Sequence, residues 1–276
     1  MPRIVIAILV GMALAVSGCI LQGISRNALA DPGILGINAG AGLAVMLFIS
    51  FYPTTTAAPV FLLPFLAFFG AVVTAVIIYA LAYKRGDGIS PMSLLLTGVA
   101  IAAGISAVMI VLTLRLSPEN YQFVATWLAG SIWGSNWKFV IALLPWVMIL
   151  LPFVFSKARV LNVLNLGELT ATGLGASIEK ERRLLLVAAV GLAGASVSVS
   201  GGIGFVGLIG PHLARQLVGS RHQVLLPASA LAGGLLVIIA DTIGRWVLQP
   251  SEIPTGIVVA IIGAPYFLYL LSRSKA

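Results

Sequence analysis

The sequence predicts an all-α polytopic membrane protein, and three observations support this fold class. The mean hydropathy is +1.11. Only 9% of the 276 residues are charged, whereas 60% are hydrophobic, and a soluble domain has roughly a quarter of its residues charged. Apolar windows of about 20 residues, long enough to cross a bilayer, recur along the chain. We therefore expect one transmembrane domain over residues 1–276.

Nine windows are predicted as membrane spans because each stays apolar over a bilayer-crossing length. They cover residues 3–22, 33–51, 58–83, 92–115, 137–156, 183–201, 203–219, 223–248 and 254–273. Proline occurs inside several windows, which is tolerated where neighbouring helices satisfy the backbone groups that proline frees.

The basic residues indicate the orientation of these spans. If residues 23–32 are cytoplasmic and the spans alternate, twelve of the 16 Lys and Arg residues lie inside. The other four, Arg3, Arg115, Lys138 and Arg245, lie outside. An excess of basic residues on the cytoplasmic side is the usual arrangement in membrane proteins. The net charge of +8 therefore follows from topology and does not indicate a nucleic-acid partner.

Two polar segments between the spans are expected to be structured. Residues 118–136 lie outside and contain tryptophans that suit an interfacial helix at the level of the lipid headgroups. Residues 162–182 lie inside, and their amphipathic pattern with interspersed glycines predicts two short helices on the cytoplasmic face. Composition alone leaves open whether this inner segment is a connector or a docking surface.

The stretch SGGIGFVGLIGPHLAR has the glycine spacing of a dinucleotide-binding loop. That interpretation fails, because such a loop joins a strand to a helix and needs an acidic residue about 20 positions later. Here the glycines lie between two apolar spans, and the next acidic residue is Asp241. We interpret the stretch as a tight turn and hinge between helices. The predicted hinge residues are Gly202, Gly204, Gly207, Pro211, His212 and Arg215.

A turn is predicted at the inner face after the first span, because Asp-Pro-Gly is a strong turn signal. Arg26 and Asp31 are close enough in sequence to pair across it. The predicted inner-face turn comprises Arg26, Asn27, Asp31, Pro32 and Gly33. Asn38 and Gly40, at the start of the next span, suit a gate where two backbones pass closely.

Asp241 is the one carboxylate deep within a predicted span, and such groups are candidate functional sites. Arg245 lies one helical turn later, so the two can form an ion pair. A proton or sodium relay at Asp241 is the alternative. The sequence contains no phosphate-binding loop of the G-x-x-x-x-G-K-[ST] type. Its single cysteine and its scattered histidines predict no metal site and no bound cofactor.

Four stretches together resemble one family. They are PRIVIAILVGMALAVSGCILQGISRNALADPGILGINAGAG, LNLGELTATGLGAS, GGIGFVGLIGPHLAR, and ADTIGRW followed by EIPTGIVVAIIGAPYFLYLL. In this order they resemble the permeases of ABC importers for iron-siderophores and vitamin B12. The resemblance implies a type II ABC importer permease fold with ten helices per subunit. The first of these helices would precede Pro2, which leaves the nine predicted spans.

The resemblance also implies partners and roles for particular residues. Two permease subunits, identical or different, would sit on two ATPase subunits that bind ATP and beneath an extracytoplasmic siderophore-binding protein. Arg3 and Arg245 would dock the binding protein. The segment 162–182 would couple to the ATPase, through a motif marked by Leu166, Gly167, Glu168, Leu174 and Gly175. The pathway would run between the two permease subunits, lined by residues 92–115 and gated near Asn38.

The function expected from this resemblance is ATP-driven import of ferric siderophores, of the hydroxamate type, across the bacterial cytoplasmic membrane. The chain would be a transport subunit and not itself an enzyme. Import of cobalamin or haem is the alternative within the family. Outside it, the alternative is a secondary transporter driven by protons or sodium, in which Asp241 would be essential. A channel would need a selectivity filter or a charged ring, and the sequence shows neither.

Overall fold

The computed structural model describes residues 1–33, 36–52, 61–84, 88–173 and 177–273, which are almost wholly helical. The elements, in chain order, are α1 Pro2–Ser25, α2 Ile37–Phe51, α3 Leu62–Ala82, β1 Tyr83–Lys84, β2 Gly88–Ile89, α4 Pro91–Thr113, α5 Pro118–Leu128, α6 Trp137–Ser156, α7 Ala158–Asn165, α8 Glu168–Gly173, α9 Ile178–Ser200, α10 Val206–Val218, α11 His222–Val247 and α12 Thr255–Arg273. The strands β1 and β2 pair antiparallel between α3 and α4. The predicted all-α class is confirmed.

Six helices in the described part of the chain are long and apolar enough to cross a membrane: α1, α3, α4, α6, α9 and α11. Two further apolar helices, α2 and the apolar part of α12, are shorter. The window predicted as a span over 203–219 contains only α10, with 13 residues. At 1.5 Å per residue α10 is about 20 Å long, which is less than the bilayer core. A full span there is therefore not confirmed, and neither is the count of nine spans.

The helix α10 is short because the chain leaves helical geometry between Ser200 and Val206. Gly201 has φ 66° and Phe205 has φ 65°, both in the left-handed region. Glycine reaches this region freely, whereas an L side chain does so at a cost. Hydropathy does not detect this break, because the residues around it are apolar.

The helix α1 is the centre of the fold. It packs against α11, α9, α10 and α6. In its apolar window 72% of the residues are buried, compared with 11% in that of α4. Proline at its first helical position suits a helix start. The peripheral helix α4, whose residues the sequence places on the transport pathway, is left with most of its surface exposed.

Glycines allow α1 to approach its neighbours without intervening side chains. A Cβ added at Gly11 would collide with the backbone of Gly233 in α11, and one at Gly18 would collide with the backbone of Gly207 in α10. Close backbone approach of this kind is typical of helix packing in membranes. Gly207, one of the glycines after Ser200, therefore serves helix contact.

The two polar segments adopt helices whose bounds differ from those predicted. On the outer side, α5 ends at Leu128, well before residue 136. Its start is fixed by Ser117, whose side chain accepts a hydrogen bond from the backbone N–H of Asn120 at 3.3 Å. On the inner side, α7 and α8 are the two short helices expected from the sequence, and α7 begins earlier, at Ala158.

Candidate functional site

A cluster of charged side chains joins the outer ends of α1 and α11. Arg3 donates to Asp241 from Nε at 2.9 Å and from Nη2 at 2.7 Å, and to Glu252 from Nη1 at 2.8 Å. Thr255 donates from Oγ1 to Asp241 at 3.2 Å. Arg245 Nε lies 3.3 Å from the second carboxylate oxygen of Asp241, too poorly aligned for a hydrogen bond. The predicted pair of Asp241 and Arg245 is thus present as an ion pair, and Arg3 is the stronger partner.

Exposure separates the two arginines that the sequence assigned to docking. The Arg3 side chain is 19% exposed, whereas that of Arg245 is 42% exposed. Asp241 is 3% exposed. Arg3 is therefore mostly occupied within the subunit, and Arg245 is the arginine of this cluster that an acidic partner can reach. Their role in docking remains a prediction.

The turn at the inner end of α1 is held by short-range hydrogen bonds. Arg26 closes α1 in the left-handed conformation, with φ 51°. The Asn27 side chain then accepts from the backbone N–H of Leu29 at 2.9 Å, and the Asp31 side chain accepts from that of Gly33 at 2.7 Å. Asn and Asp commonly bond their own backbone two residues on in this way. The predicted turn is present.

The expected ion pair between Arg26 and Asp31 is not formed, although both residues lie in the described part of the chain. Asp31 is buried, and its carboxylate faces the first turn of α10, where a Cβ on Gly207 would lie 2.8 Å from Oδ2. Arg26 is exposed and reaches instead towards Gly167, between α7 and α8. The turn carries the two side chains apart, which sequence spacing alone could not show.

Asn38 lies where the inner turn meets the break between α9 and α10. Its Nδ2 is 3.3 Å from the position that a Cβ on Gly33 would take, and 3.8 Å from that on Gly202. Gly40 is elsewhere, buried against Gly70 and Thr74 of α3. The position of Gly40 is therefore one of helix packing. A gate at Asn38 and Gly40 remains a prediction.

The predicted hinge residues are spread over the break before α10 and the helix itself. Gly202 and Gly204 lie in the break, Gly207 lies in the first turn of α10, and Pro211, His212 and Arg215 follow along the helix. The His212 ring contacts the edge of the Tyr266 ring, with centroids 5.6 Å apart. Its Nε2 lies 3.0 Å from the amide nitrogen of Gln216, one turn later. These contacts are structural, and movement at this hinge remains a prediction.

Gln22 connects α1 to both ends of α10. The sequence did not reveal these contacts. Its side-chain nitrogen donates to the carbonyl of Gly207 at 3.3 Å, and its side-chain oxygen accepts from Nη2 of Arg215 at 3.1 Å. Gln22 is buried. A buried amide needs such partners, since leaving it unpaired costs roughly 1–3 kcal/mol.

The predicted coupling motif begins at the junction of α7 and α8. Leu166 ends α7 and is 62% exposed. Gly167 breaks the helix with φ 104°, and Glu168 begins α8. Leu174 and Gly175, also predicted to belong to the motif, lie outside the described residues. An exposed apolar residue at a helix junction on this face suits contact with a partner, so the coupling role remains a prediction.

The principal contact that sequence reasoning missed joins α7 to α11. Asn162 Oδ1 accepts from the backbone N–H of His222 at 3.0 Å and lies 2.8 Å from Nδ1 of the same residue. Its amide nitrogen donates to the side chain of Gln223 at 2.7 Å. The residues are 60 and 61 positions apart, and neither composition nor periodicity relates them. The sequence did contain one signal for this contact. His222 and Gln223, two polar side chains that can form hydrogen bonds, follow the basic Arg221 at the inner start of a predicted span.

Within the described ranges, no group of three or more His, Cys, Asp or Glu side chains is placed to hold a metal ion. Cys19 is buried in α1 and unpaired. The candidate site is therefore a set of contacts at the two ends of the helix bundle: charged at the outer end, and amide and histidine at the inner end.

Comparison with known proteins places the chain among transport proteins. Residues 1–273 match the model of the FecCD transport family. The iron(3+)-hydroxamate import system permease protein FhuG of Bacillus subtilis (strain 168) is 50% identical over 279 aligned residues, which cover 100% of this chain and 82% of that protein. The cobalamin import system permease protein BtuC of Halobacterium salinarum is 42% identical over 98% of this chain and 71% of that protein.

A solved structure has the same fold. It is a metal-chelate type ABC transporter in an inward-facing conformation, with a TM-score of 0.89 and 33% identity. The match covers 99% of this chain and 85% of that one. The family model matches residues 1–273, and the Bacillus subtilis permease is 50% identical over the whole chain. The chain therefore belongs to the FecCD transport family.

Proposed function

We propose that this protein is the permease subunit of an ATP-driven importer that carries ferric siderophores, of the hydroxamate type, into the cell. The observation that carries the proposal is the 50% identity, over the whole chain, to a permease named for iron(3+)-hydroxamate import. Family membership and six apolar helices make the protein a multi-pass protein of the bacterial cytoplasmic membrane. Cobalamin is the second candidate substrate, because a cobalamin permease is 42% identical.

The energy source is proposed to be a separate ATPase. The sequence contains no phosphate-binding loop of the usual type, and the family consists of transport subunits. The inner face offers a suitable docking segment in α7 and α8, whose junction exposes Leu166. Movement of these helices by the ATPase would open the pathway to the cytoplasm.

A binding protein is proposed to dock at the outer end, beside Arg3 and Arg245. The two arginines of the cluster face two carboxylates, and Arg3 makes the shorter contacts, with both Asp241 and Glu252. The exposed guanidinium of Arg245 suits an acidic side chain of the binding protein. Opposite charges at such a surface fix orientation and speed association more than they add affinity.

The geometry favours this importer over a secondary transporter driven by protons or sodium. An ion relay needs a carboxylate that can release its counter-ion during the cycle. Asp241 is held by Arg3, Arg245 and Thr255 together. A carboxylate with three partners is better suited to joining helices than to exchanging a proton.

The proposal is tested by uptake of radiolabelled ferric hydroxamate in a strain that lacks the gene for this subunit. Restoring the full-length subunit is expected to restore uptake. Removing the phosphate-loop lysine of the partner ATPase is the matched control and should abolish it. Excess unlabelled cobalamin or haem should not compete. Competition by cobalamin would favour the second substrate, whereas uptake that survives loss of the ATPase would overturn the importer.

A further inference from the structure

Asn162 makes a compact set of hydrogen bonds between α7 and the first turn of α11. Its Oδ1 faces two nitrogen atoms of His222, the backbone nitrogen at 3.0 Å and Nδ1 at 2.8 Å. Its Nδ2 donates to Gln223 at 2.7 Å. Because Oδ1 can only accept, the ring proton of His222 lies on Nδ1. Asparagine is thus used as donor and acceptor at once, both directed at one helix.

His222 carries this contact into the core. The residue is 0% exposed, and its Nε2 has no hydrogen-bond partner. Both Nε2 and a methyl group of Leu161 lie 3.1 Å from the position that a Cβ on Gly23 would take. The imidazole therefore fills the space between α7 and the inner end of α1. A single side chain links α7, α11 and α1.

One ion pair holds α7 at its start, and Arg26 lies near the junction beyond its end. At the start of α7, Lys157 forms an ion pair with Glu181 of α9, with Nζ and Oε1 2.8 Å apart. Beyond its end, the Arg26 guanidinium lies 3.4 Å from the position that a Cβ on Gly167 would take. The helix α7 is thus attached to the bundle at its start by Lys157 and in its middle by Asn162, and the exposed Leu166 lies at its far end.

The helices α1 and α11 form one unit from the inner face to the outer face. They are joined at the outer end by Arg3 and Asp241, and near the middle by the close approach of Gly11 and Gly233. At the inner end His222 contacts Gly23. With 24 and 26 residues, the helices extend about 36 and 39 Å at 1.5 Å per residue. A pair joined at three levels moves as a body.

We propose that Asn162 and His222 form the joint through which movement of α7 is transmitted to the α1–α11 pair, and so to the charged cluster at the outer face. The inference rests on the proposed function, because it takes the ATPase to act on α7 and α8. It assigns both residues a positioning role. Neither touches the substrate.

The chemistry of the contact explains why it transmits movement. Pulling Asn162 away from α11 would leave the Nδ1–H of the buried His222 without a partner, and an unpaired buried group is costly. Apolar side chains in contact have no such directional preference and can slide. The hydrogen bonds therefore favour joint displacement of α7 and α11 over slippage between them.

The test uses the complete importer in proteoliposomes, with the full-length subunit, the ATPase and the loaded binding protein. Asn162→Leu removes the hydrogen bonds while keeping the number and branching of the side-chain heavy atoms. Asn165→Leu makes the same change three residues later, where the side chain is exposed. Asn162→Asp keeps the oxygen that His222 needs. The readouts are basal ATP hydrolysis, its stimulation by the loaded binding protein, and the iron transported per ATP hydrolysed.

In Asn162→Leu we expect assembly and basal hydrolysis to persist while stimulation and iron per ATP fall by roughly tenfold, a typical size for coupling between two sites. Asn165→Leu changes the same docking segment without touching His222, so it should keep the iron transported per ATP of the wild type. Asn162→Asp should recover most of the loss. The double variant with Asn162→Leu and His222→Phe should lose little more stimulation and iron per ATP than Asn162→Leu alone, since both changes act on one contact.

Equal stimulation of ATP hydrolysis and equal iron per ATP in Asn162→Leu and Asn165→Leu would overturn the proposed joint. If Asn162→Leu fails to assemble, His222→Phe alone supplies the comparison, because it keeps a ring in the same space, and normal coupling in it would likewise overturn the proposal. A wild-type complex that does not move iron with ATP would instead overturn the proposed function itself.

Discussion

Arg3 and Asp241, 238 positions apart in the chain, are joined by three hydrogen bonds of 2.7, 2.9 and 3.1 Å. The bidentate contact ties the first turn of α1 to the last turns of α11. Charge-assisted pairs of this geometry are about twice as strong as neutral hydrogen bonds. The contact makes Asp241 part of the framework at the outer face.

Replacing Asp241 should therefore destabilise the protein. Asp241→Asn removes the charge that balances Arg3 and Arg245 while keeping the side-chain shape. Breaking a buried pair from one side costs about 3 kcal/mol or more. Glu252→Gln is the control, because Glu252 is 32% exposed and such pairs contribute below about 1 kcal/mol. Thermal unfolding in detergent measures the stability of both variants. Equal losses of stability in Asp241→Asn and Glu252→Gln would contradict the assigned role of Asp241.

Reversing the charge of Arg245 should slow docking of the binding protein. In Arg245→Glu the exposed guanidinium is replaced by a group that repels acidic partners, so the association rate should fall by roughly tenfold or more. Arg115→Glu makes the same change at another exposed outer position. Surface plasmon resonance at low and high salt measures the rates. The difference between the two variants should shrink as salt rises, and equal rates at low salt would exclude Arg245 from the docking surface.

The buried carboxyl of Asp31 should make stability depend on pH. Burial raises the pKa of Asp31 to about 6, against the smaller opposing effect of the hydrogen bond from Gly33. In the unfolded chain the pKa is about 3.9. Because the folded protein holds this proton more tightly, the protonated carboxyl stabilises the fold below about pH 4. That stability is lost as the pH rises towards about 6, by about 3 kcal/mol in total.

Asp31→Asn should remove this dependence, since its amide oxygen still accepts from the N–H of Gly33 and carries no proton to lose. The melting temperature of the wild type is expected to fall between about pH 4 and 6 relative to that of the variant. Above that range the two curves should run parallel. A wild-type curve that instead rises relative to the variant across this interval would show that Asp31 is ionised throughout.

Gly167 should be intolerant of a side chain. Its φ of 104° lies in a region that L residues rarely adopt, and Gly167→Ala is expected to cost about 1–2 kcal/mol locally. Gly173→Ala, at the end of α8, is the matched control, because a Cβ there meets open space. Co-purification with the ATPase should weaken in the first variant and persist in the second. Equal binding would show that the junction of α7 and α8 is not a docking element.

The fold could be predicted from the sequence as far as hydropathy and helix signals extend. Windows of apolar residues located α1, α3, α4, α6, α9 and α11, whereas the orientation read from the basic residues stays a prediction. The break at Gly201 to Phe205 escaped prediction, because apolar residues continue through it and only backbone dihedral angles reveal it. The early end of α5 at Leu128 has a different cause: Gly130 and Gly134 adopt positive φ just beyond it, and these glycines were a signal in the sequence.

The candidate site was predictable only where its partners are neighbours in sequence. The pair of Asp241 and Arg245 follows from helical spacing. The bonds from Arg3 to Asp241 and from Asn162 to His222 depend on which helices pack together, and the sequence carries no local sign of that. The expected pair of Arg26 and Asp31 failed for the converse reason: they are close in sequence, but the turn directs their side chains to different helices.

Iron accumulation in proteoliposomes containing this subunit, its ATPase and its binding protein distinguishes ATP-driven import from transport driven by an ion gradient. Radiolabelled ferric hydroxamate should accumulate only when all components and ATP are present, and a proton or sodium gradient without ATP should have no effect. Accumulation that follows an ion gradient, persists without the ATPase and is lost in Asp241→Asn would contradict the account and identify a secondary transporter instead.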